Sequence, residues 1–295
     1  MYADDTTLLA SLSSTNSNTN TETSTNTNTN NELQNRDLVL NRELDKICEW
    51  LKVNKLSLNV PKTKYMIFRP KNKIIADLNL FLDGHKLERV TNFDFLGIVV
   101  DECLTWNNHI HKIQMKISKT VGVMNRIKAY LPSETLLIIY NSLIYPHLLY
   151  GVLLWGIKYT KLEKLQRRSI RTINKSKYNA DADPLFKKTN VLKLEDILYV
   201  QEFKFYHKLI NKKAPKYFLD FKFQKQSDIH PYPTRDSDNL VTPLLKYESS
   251  KCSIRNRIPK LVNDAPESIL GKIQTHSISW LSSHIKTTKI NSYPT

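Results

Sequence analysis

Two adjacent carboxylates near the start of the chain, Asp4 and Asp5, follow Tyr2 and Ala3 and precede the β-prone run Thr6, Thr7, Leu8, Leu9. This order predicts a tight turn entering a strand, with both carboxylates held at the turn. Mg²⁺ is a hard ion that keeps several waters and is usually held by one or two protein carboxylates plus substrate phosphates, so the pair suits phosphoryl-transfer chemistry. It equally fits a plain solvated turn. A second constellation is cationic. Lys161, Lys164, Arg168, Arg171 and Lys175 step by 3, 4, 3 and 4, Arg167 flanks them, and Leu162, Leu165, Ser169, Ile170 and Ile173 lie opposite. A helix with this pattern can dock on protein by its apolar stripe while its basic stripe tracks phosphates, or it can present a solvated cationic face. Glu163 is the only acid in the stretch.

The elements that must position these groups follow from composition and periodicity. A chain of 295 residues with 40% hydrophobic content can bury a core and form two domains. Its 44 basic and 28 acidic residues give a net charge of +16, which favours a polyanionic partner, nucleic acid above all. Cys48, Cys103 and Cys252 lie far apart without a CxxC, which excludes a zinc framework of that type and suits a reducing, intracellular setting. His109 and His111 stand two apart and do not share a helix face, which argues against a metal pair. No secretory signal is expected at the N-terminus.

Residues 11–31 are almost entirely Ser, Thr and Asn and are expected to be disordered. From Asn31 the spacing of Leu33, Leu40, Leu44, Ile47, Cys48 and Leu51 predicts a helix ended by Asn54 and Lys55. Leu56 to Val60, Tyr65 to Phe68 and Phe95 to Val100 read as strands, and Asp83-Gly84 between Leu78–Leu82 and Lys86–Val90 signals a hairpin. After Trp106 the chain turns helical: Ile110, Ile113, Ile117, Val121 and Met124 form a buried stripe, with Lys112, Lys116, Lys119 and Arg126 facing elsewhere. Pro132 opens the next helix. Residues 135–157 carry no charged side chain and are long enough to raise a membrane span, but Asn141, Ser142, Pro146, His147 and Gly151 interrupt them, which favours a buried helix or helix pair. Leu192 to Ile210 predicts an amphipathic helix burying Ile197, Leu198, Phe205 and Leu209.

Tyr2-Ala3-Asp4-Asp5 also resembles the YxDD motif of reverse transcriptases. Trp50-Leu51-Lys52, Asn54 to Asn59 and Lys62-Thr63-Lys64 resemble the next block of that family's palm, and Phe93-Asp94-Phe95-Leu96-Gly97-Ile98 resembles the "YLGI" block near the primer grip. Tyr145-Pro146, Tyr150-Gly151, Trp155-Gly156 and Leu261 to Pro266 are similar to later blocks, although Val262 stands where an aromatic is usual. The resemblance is to the C-terminal part of a non-LTR, LINE or jockey-like retrotransposon enzyme.

That resemblance implies an α+β fold: a partial palm of antiparallel sheet plus helix, then an all-α thumb-like region. The implied segments are 1–10 (YADD turn and strand), 11–31 (polar tract), 32–105 (partial palm), 106–178 (thumb-like) and 179–295 (helical and irregular tail). It implies RNA-directed DNA synthesis from an RNA template, a DNA primer and dNTP, with Mg²⁺ or Mn²⁺ held by Asp4 and Asp5. Tyr2 would lie near the primer end and Lys62 near the nucleotide. Gly97 would approach the primer strand, although a glycine needed for strand packing fits as well. The family's other catalytic Asp and its fingers come from segments upstream of YxDD. The expectation is therefore a catalytically incomplete fragment, from a truncated element or a gene model starting at an internal Met, or one that works with a separate N-terminal half. A non-catalytic nucleic-acid binder and an unstable retroelement relic remain alternatives.

Overall fold

The computed structural model describes residues 7–11, 27–158, 160–221, 223–229, 232, 237–245, 248–273 and 275–294. Tyr2, Asp4 and Asp5 lie outside these ranges, as do residues 12–26 of the polar tract. The chain is an α+β protein that divides into two units, residues 1–91 and 92–295.

In the first unit, helix α1 (Thr27–Val53) starts at Thr27 rather than Asn31, inside the tract expected to be disordered. Leu40, Leu44 and Cys48, one turn apart, pack with Leu78, Leu80, Leu82 and Leu87. Asn41 fixes that docking by imitating a backbone partner: its Nδ2 donates to Asn79 O at 2.9 Å and its Oδ1 accepts the Phe81 N–H at 2.8 Å. Another part of α1 exposes Leu38, Val39, Trp50 and Val53. Four short strands follow: β1 (Lys64–Tyr65), β2 (Phe81–Leu82), β3 (His85–Lys86) and β4 (Glu88–Arg89). The hairpin signal holds, with β2 and β3 antiparallel around Asp83 and Gly84, both at positive φ.

In this unit the strand expectations hold only in part: of Tyr65 to Phe68 only Tyr65 is paired, in β1. Leu56 to Val60 runs as a loop into a 3₁₀ turn, Val60–Lys62, because Pro61 has no N–H to give a ladder. The expected antiparallel set does not form one sheet among the described residues. It is split into separate two-stranded ladders, and β1 pairs with β4 in parallel.

The second unit opens with β5 (Asn92–Phe95) and β6 (Ile98–Asp101), an antiparallel hairpin. Phe95 to Val100, expected as one strand, is instead broken by a two-residue turn at Leu96 (φ 49°) and Gly97 (φ 82°). The Asp101 carboxylate ends β6 by accepting the N–H groups of Cys103, Thr105 and Trp106 at 2.8–3.2 Å. Helix α2 (Asn107–Ile127) follows and buries all five residues of the expected stripe together with His109.

The uncharged span breaks into α3 (Ser133–Leu143), α4 (Tyr145–Leu149) and α5 (Val152–Trp155). Pro146 sits in the first turn of α4 and Gly151 (φ 66°) makes the corner before α5. The positive φ favours glycine at this corner, and a Cβ there would stand 2.6 Å from Ile98 Cδ1, so that side-chain end would have to shift. Among the described residues no helix is long and apolar enough to cross a membrane.

Helices α6 (Thr160–Ile173), α7 (Asp183–Lys188) and α8 (Leu194–Ile210) complete the centre, and α9 (Lys216–Leu219), α10 (Glu248–Cys252), α11 (Ile254–Asn263), α12 (Glu267–Leu270) and α13 (Ile278–Asn291) close the unit. Leu162, Ile170, Phe203, Leu281 and Ile285 share one core with Ile117 and Met124. Residues 179–295, expected as a helical and irregular tail, fall in the same compact unit as α2 to α6. In α8 Leu194, Ile197 and Phe203 are fully buried and Leu198 is buried as expected, whereas Phe205 and Leu209 are half-buried beside Ile258 and Val262. Asn263 ties this region together, accepting the Leu240 N–H at 2.8 Å and donating to Leu240 O at 2.9 Å.

Candidate nucleic-acid interface

Helix α6 has two chemically different faces. Its inner face buries Leu162, Gln166, Ser169, Ile170, Thr172 and Ile173, so Gln166 and Thr172 join the expected apolar stripe. Leu165 is only half-buried. Gln166 is fully buried and uses its amide completely: Nε2 donates to Tyr140 Oη and Leu192 O, each at 2.9 Å, and Oε1 accepts the Leu194 N–H at 2.9 Å. Burial pushes the Tyr140 hydroxyl well above its ordinary value, so it stays protonated beside Gln166.

The outer face divides into cations that are held and cations that are not. Arg167 is half-buried: its Nε donates to Glu163 at 2.9 Å and its Nη1 to Asp183 at 2.6 Å. Burial opposes its charge, but the hydrogen bonds and charges of Glu163 and Asp183 outweigh that and raise its pKa. Asp183 also takes Lys193 Nζ at 3.0 Å; burial works against its ionised form, and its two cations more than offset this, holding it below the usual carboxylate range. Arg171 is turned inward as well, its Nε donating to Ala180 O at 2.6 Å.

Lys175 lies beyond the helix. It occupies the left-handed cap position at φ 52°, with the Ser176 N–H reaching back to Arg171 O at 3.0 Å, where a glycine is the usual occupant. Of the six cations expected to form one basic face, Arg167 and Arg171 are thus engaged with the protein, because α7 and the preceding loop add Asp183 and the Ala180 carbonyl to the one acid, Glu163, that α6 itself supplies. Lys161, Lys164, Arg168 and Lys175 are exposed, and none has an ion-pair partner among the described residues. Lys161 also edges a hollow of about 380 Å³ with Asn107, His111 and Gln114.

The remaining expected site residues are dispersed. Lys62 is exposed at the end of the 3₁₀ turn of the first unit. Gly97 is a hairpin-turn residue of the second unit, next to Leu96, whose carbonyl accepts the Tyr150 hydroxyl at 2.6 Å. Tyr2, Asp4 and Asp5 lie outside the described residues. Among the described residues no group of three or more His, Cys, Asp or Glu could hold a metal ion. The donor chemistry of Asp4 and Asp5, adjacent hard carboxylates, suits Mg²⁺ or Mn²⁺.

Sequence reasoning missed Gln166, because a glutamine within a basic amphipathic helix looks like a surface residue. It also set Lys112 and Lys116 aside as a solvent face, although their i, i+4 spacing one turn beyond His109 places all three on one side of α2. The chain matches no protein-family model, no curated protein and no solved structure in the comparisons made.

Proposed function

We propose that the second unit binds RNA or DNA by its phosphate backbone through the exposed side of α6, as part of an RNA-directed DNA polymerase of the non-LTR retrotransposon kind. The observation that carries the binding is the set Lys161, Lys164 and Arg168, exposed on one helix whose opposite side is locked by Gln166 and Ile170. Unpaired cations at a spacing of three and four residues on one fixed helix can meet successive phosphates, and each neutralised phosphate releases counterions. Lys175, at the end of the helix, extends the row.

The polymerase part of the reading rests on the Tyr2-Ala3-Asp4-Asp5, Lys62-Thr63 and Leu96-Gly97-Ile98 blocks. Asp4 and Asp5 would hold Mg²⁺, which when bound activates a primer 3′-hydroxyl and stabilises the leaving pyrophosphate. The chain's own contribution in the described region is to hold and orient the nucleic acid.

Primer extension on an RNA template with Mg²⁺, beside a variant carrying Asp4→Ala and Asp5→Ala, tests this reading together with a binding assay. Extension by the wild type and not by the variant supports both parts. Binding without extension by either protein leaves a nucleic-acid binder without polymerase activity. Loss of retention on heparin at physiological ionic strength overturns the binding itself.

A further inference from the structure

We propose that the corner where α8 ends and α9 docks is a second nucleic-acid contact, a platform that takes single-stranded RNA or DNA. There Tyr217 stacks an unpaired base, and Lys212, Lys213, Lys216 and Arg255 meet the flanking phosphates. The inference rests on the nucleic-acid reading of the second unit and adds to it a strand type and a further surface.

Tyr217 is 75% exposed although it stands in a cluster of aromatic rings. Its ring centroid lies 5.4 Å from that of Phe218 and 6.1 Å from that of Phe221, both contacts edge-to-face. Phe218 in turn meets Phe221 at 5.4 Å and Phe205 of α8 at 5.2 Å. The exposed ring is thus braced by the same rings that anchor α9 on α8. A braced ring open to solvent is what base stacking requires, and stacking on it needs a base that has left its duplex, which sets the strand type.

The cations around it come from three elements. Lys208 in the last turn of α8, Lys212 and Lys213 beyond it, Lys216 opening α9 and Arg255 on α11 are all exposed, and none has an ion-pair partner among the described residues. Asp220 is the only acid in the sequence between Lys208 and Phe221. A tight cap closes α8: the Lys213 and Ala214 N–H groups both reach back to Lys208 O, at 2.8 and 3.1 Å, with Lys212 in the left-handed region at φ 53°. The cap keeps Lys208, Lys212 and Lys213 together at one end of the helix. Arg255 joins them from α11, its Cζ standing 5.0 Å over the ring of Phe221, which also braces Tyr217. Burial, and then the Lys208 charge, lower the pKa of half-buried Lys204, so positive charge is in excess here. An anionic membrane surface would meet the same cations, but it asks for a broad apolar face, and α9 exposes only Tyr217 and, at 41%, Leu219.

The test is binding of the full chain to a short fluorescent single strand, to the same sequence in a duplex, and to vesicles containing phosphatidylserine, each over a range of salt. Tyr217→Ala should weaken single-strand binding about tenfold at an unchanged salt slope, with duplex affinity held within about twofold, and Tyr217→Phe should restore the single strand. Lys212→Ala with Lys213→Ala and Lys216→Ala should make the single-strand slope shallower by about two. Both effects should persist in a chain carrying Lys161→Ala, Lys164→Ala and Arg168→Ala, whose own loss falls on single strand and duplex alike. If Tyr217→Ala binds the single strand like the wild type, or weakens both strand forms equally, while the α6 variant still loses affinity, the inference is overturned and the α6 reading stands. If the wild type binds neither strand form, both fall. Vesicle binding that depends on Tyr217, with single-strand binding that does not, overturns the inference in favour of a membrane surface.

Discussion

The side-chain oxygen of Gln166 accepts the backbone N–H of Leu194 at 2.9 Å, so a residue of α6 satisfies one of the free donors at the start of α8. The exposed cations of α6 are held in place from behind by this bond. Gln166→Leu strands the Leu194 N–H, the Leu192 carbonyl and the Tyr140 hydroxyl in the core. The expected cost is about 2–4 kcal/mol, read as a lower denaturation midpoint with little change in m-value. A change below about 0.5 kcal/mol would mean that α6 is held by its apolar contacts alone.

Lys175 separates cap from charge. At φ 52° a lysine is strained, so Lys175→Gly is expected to stabilise the unit by about 0.5–1 kcal/mol. The same change removes one exposed cation, so the salt slope of RNA binding should fall by about one. Thermal unfolding and a salt titration on one variant check both effects.

Arg257 and Glu202 form an ion pair in which both side chains are nearly buried, Nη1 to Oε1 at 2.8 Å, and Arg257 Nη2 donates to Leu153 O at 2.6 Å. Nη1 makes no aligned hydrogen bond. Burial raises the Glu202 pKa despite Arg257, and burial lowers the Arg257 pKa despite Glu202, so desolvation exceeds the attraction on both sides. Arg257→Met alone is expected to cost about 3–5 kcal/mol, because it leaves a buried carboxylate unpaired. Arg257→Met with Glu202→Leu should recover most of that loss, and a chemical-denaturation cycle measures the difference.

His109 and His147 set an acid limit on stability. Both pKa values are lowered in the folded state, chiefly by burial. Between the folded value and the unfolded value of about 6.5 the unfolded chain binds more protons, so stability rises with pH through that window. Their contribution is fully present above the unfolded value and is lost as pH falls through the window. In a phosphate-free buffer the melting temperature should drop on acidification below about pH 6.5, and Lys116→Gln should flatten the drop, since the Lys116 charge depresses both rings.

The parts of the fold that were legible are those where one physical demand acts alone. Ile110, Ile113, Ile117, Val121 and Met124 mark α2 because a buried helix face needs that spacing, and Asp83-Gly84 marks a hairpin because its turn needs positive φ twice. The turn at Leu96 and Gly97 was hidden because Leu96 continues an apolar run while standing at φ 49°. Leu56 to Val60 alternates like a strand, but alternation carries no information about a ladder partner, and Pro61 closes a 3₁₀ turn instead.

For the site, the exposed lysines of α6 could be read from spacing. The engagement of Arg167 and Arg171 depends on Asp183 and the Ala180 carbonyl, which tertiary packing brings in from the chain beyond α6. His109 was unreadable for a similar reason: its burial comes from the stripe beside it, and its Nδ1 partner is the backbone of β6.

The binding account is tested most directly by the salt dependence of RNA and DNA affinity for the wild type and for a variant carrying Lys161→Ala, Lys164→Ala and Arg168→Ala. These side chains are exposed, so the variant should fold like the wild type. The slope of log K against log salt should become shallower by about two to three, with affinity lost on every sequence tried. A folded variant with the wild-type slope and affinity would contradict the assignment of α6 as the nucleic-acid interface.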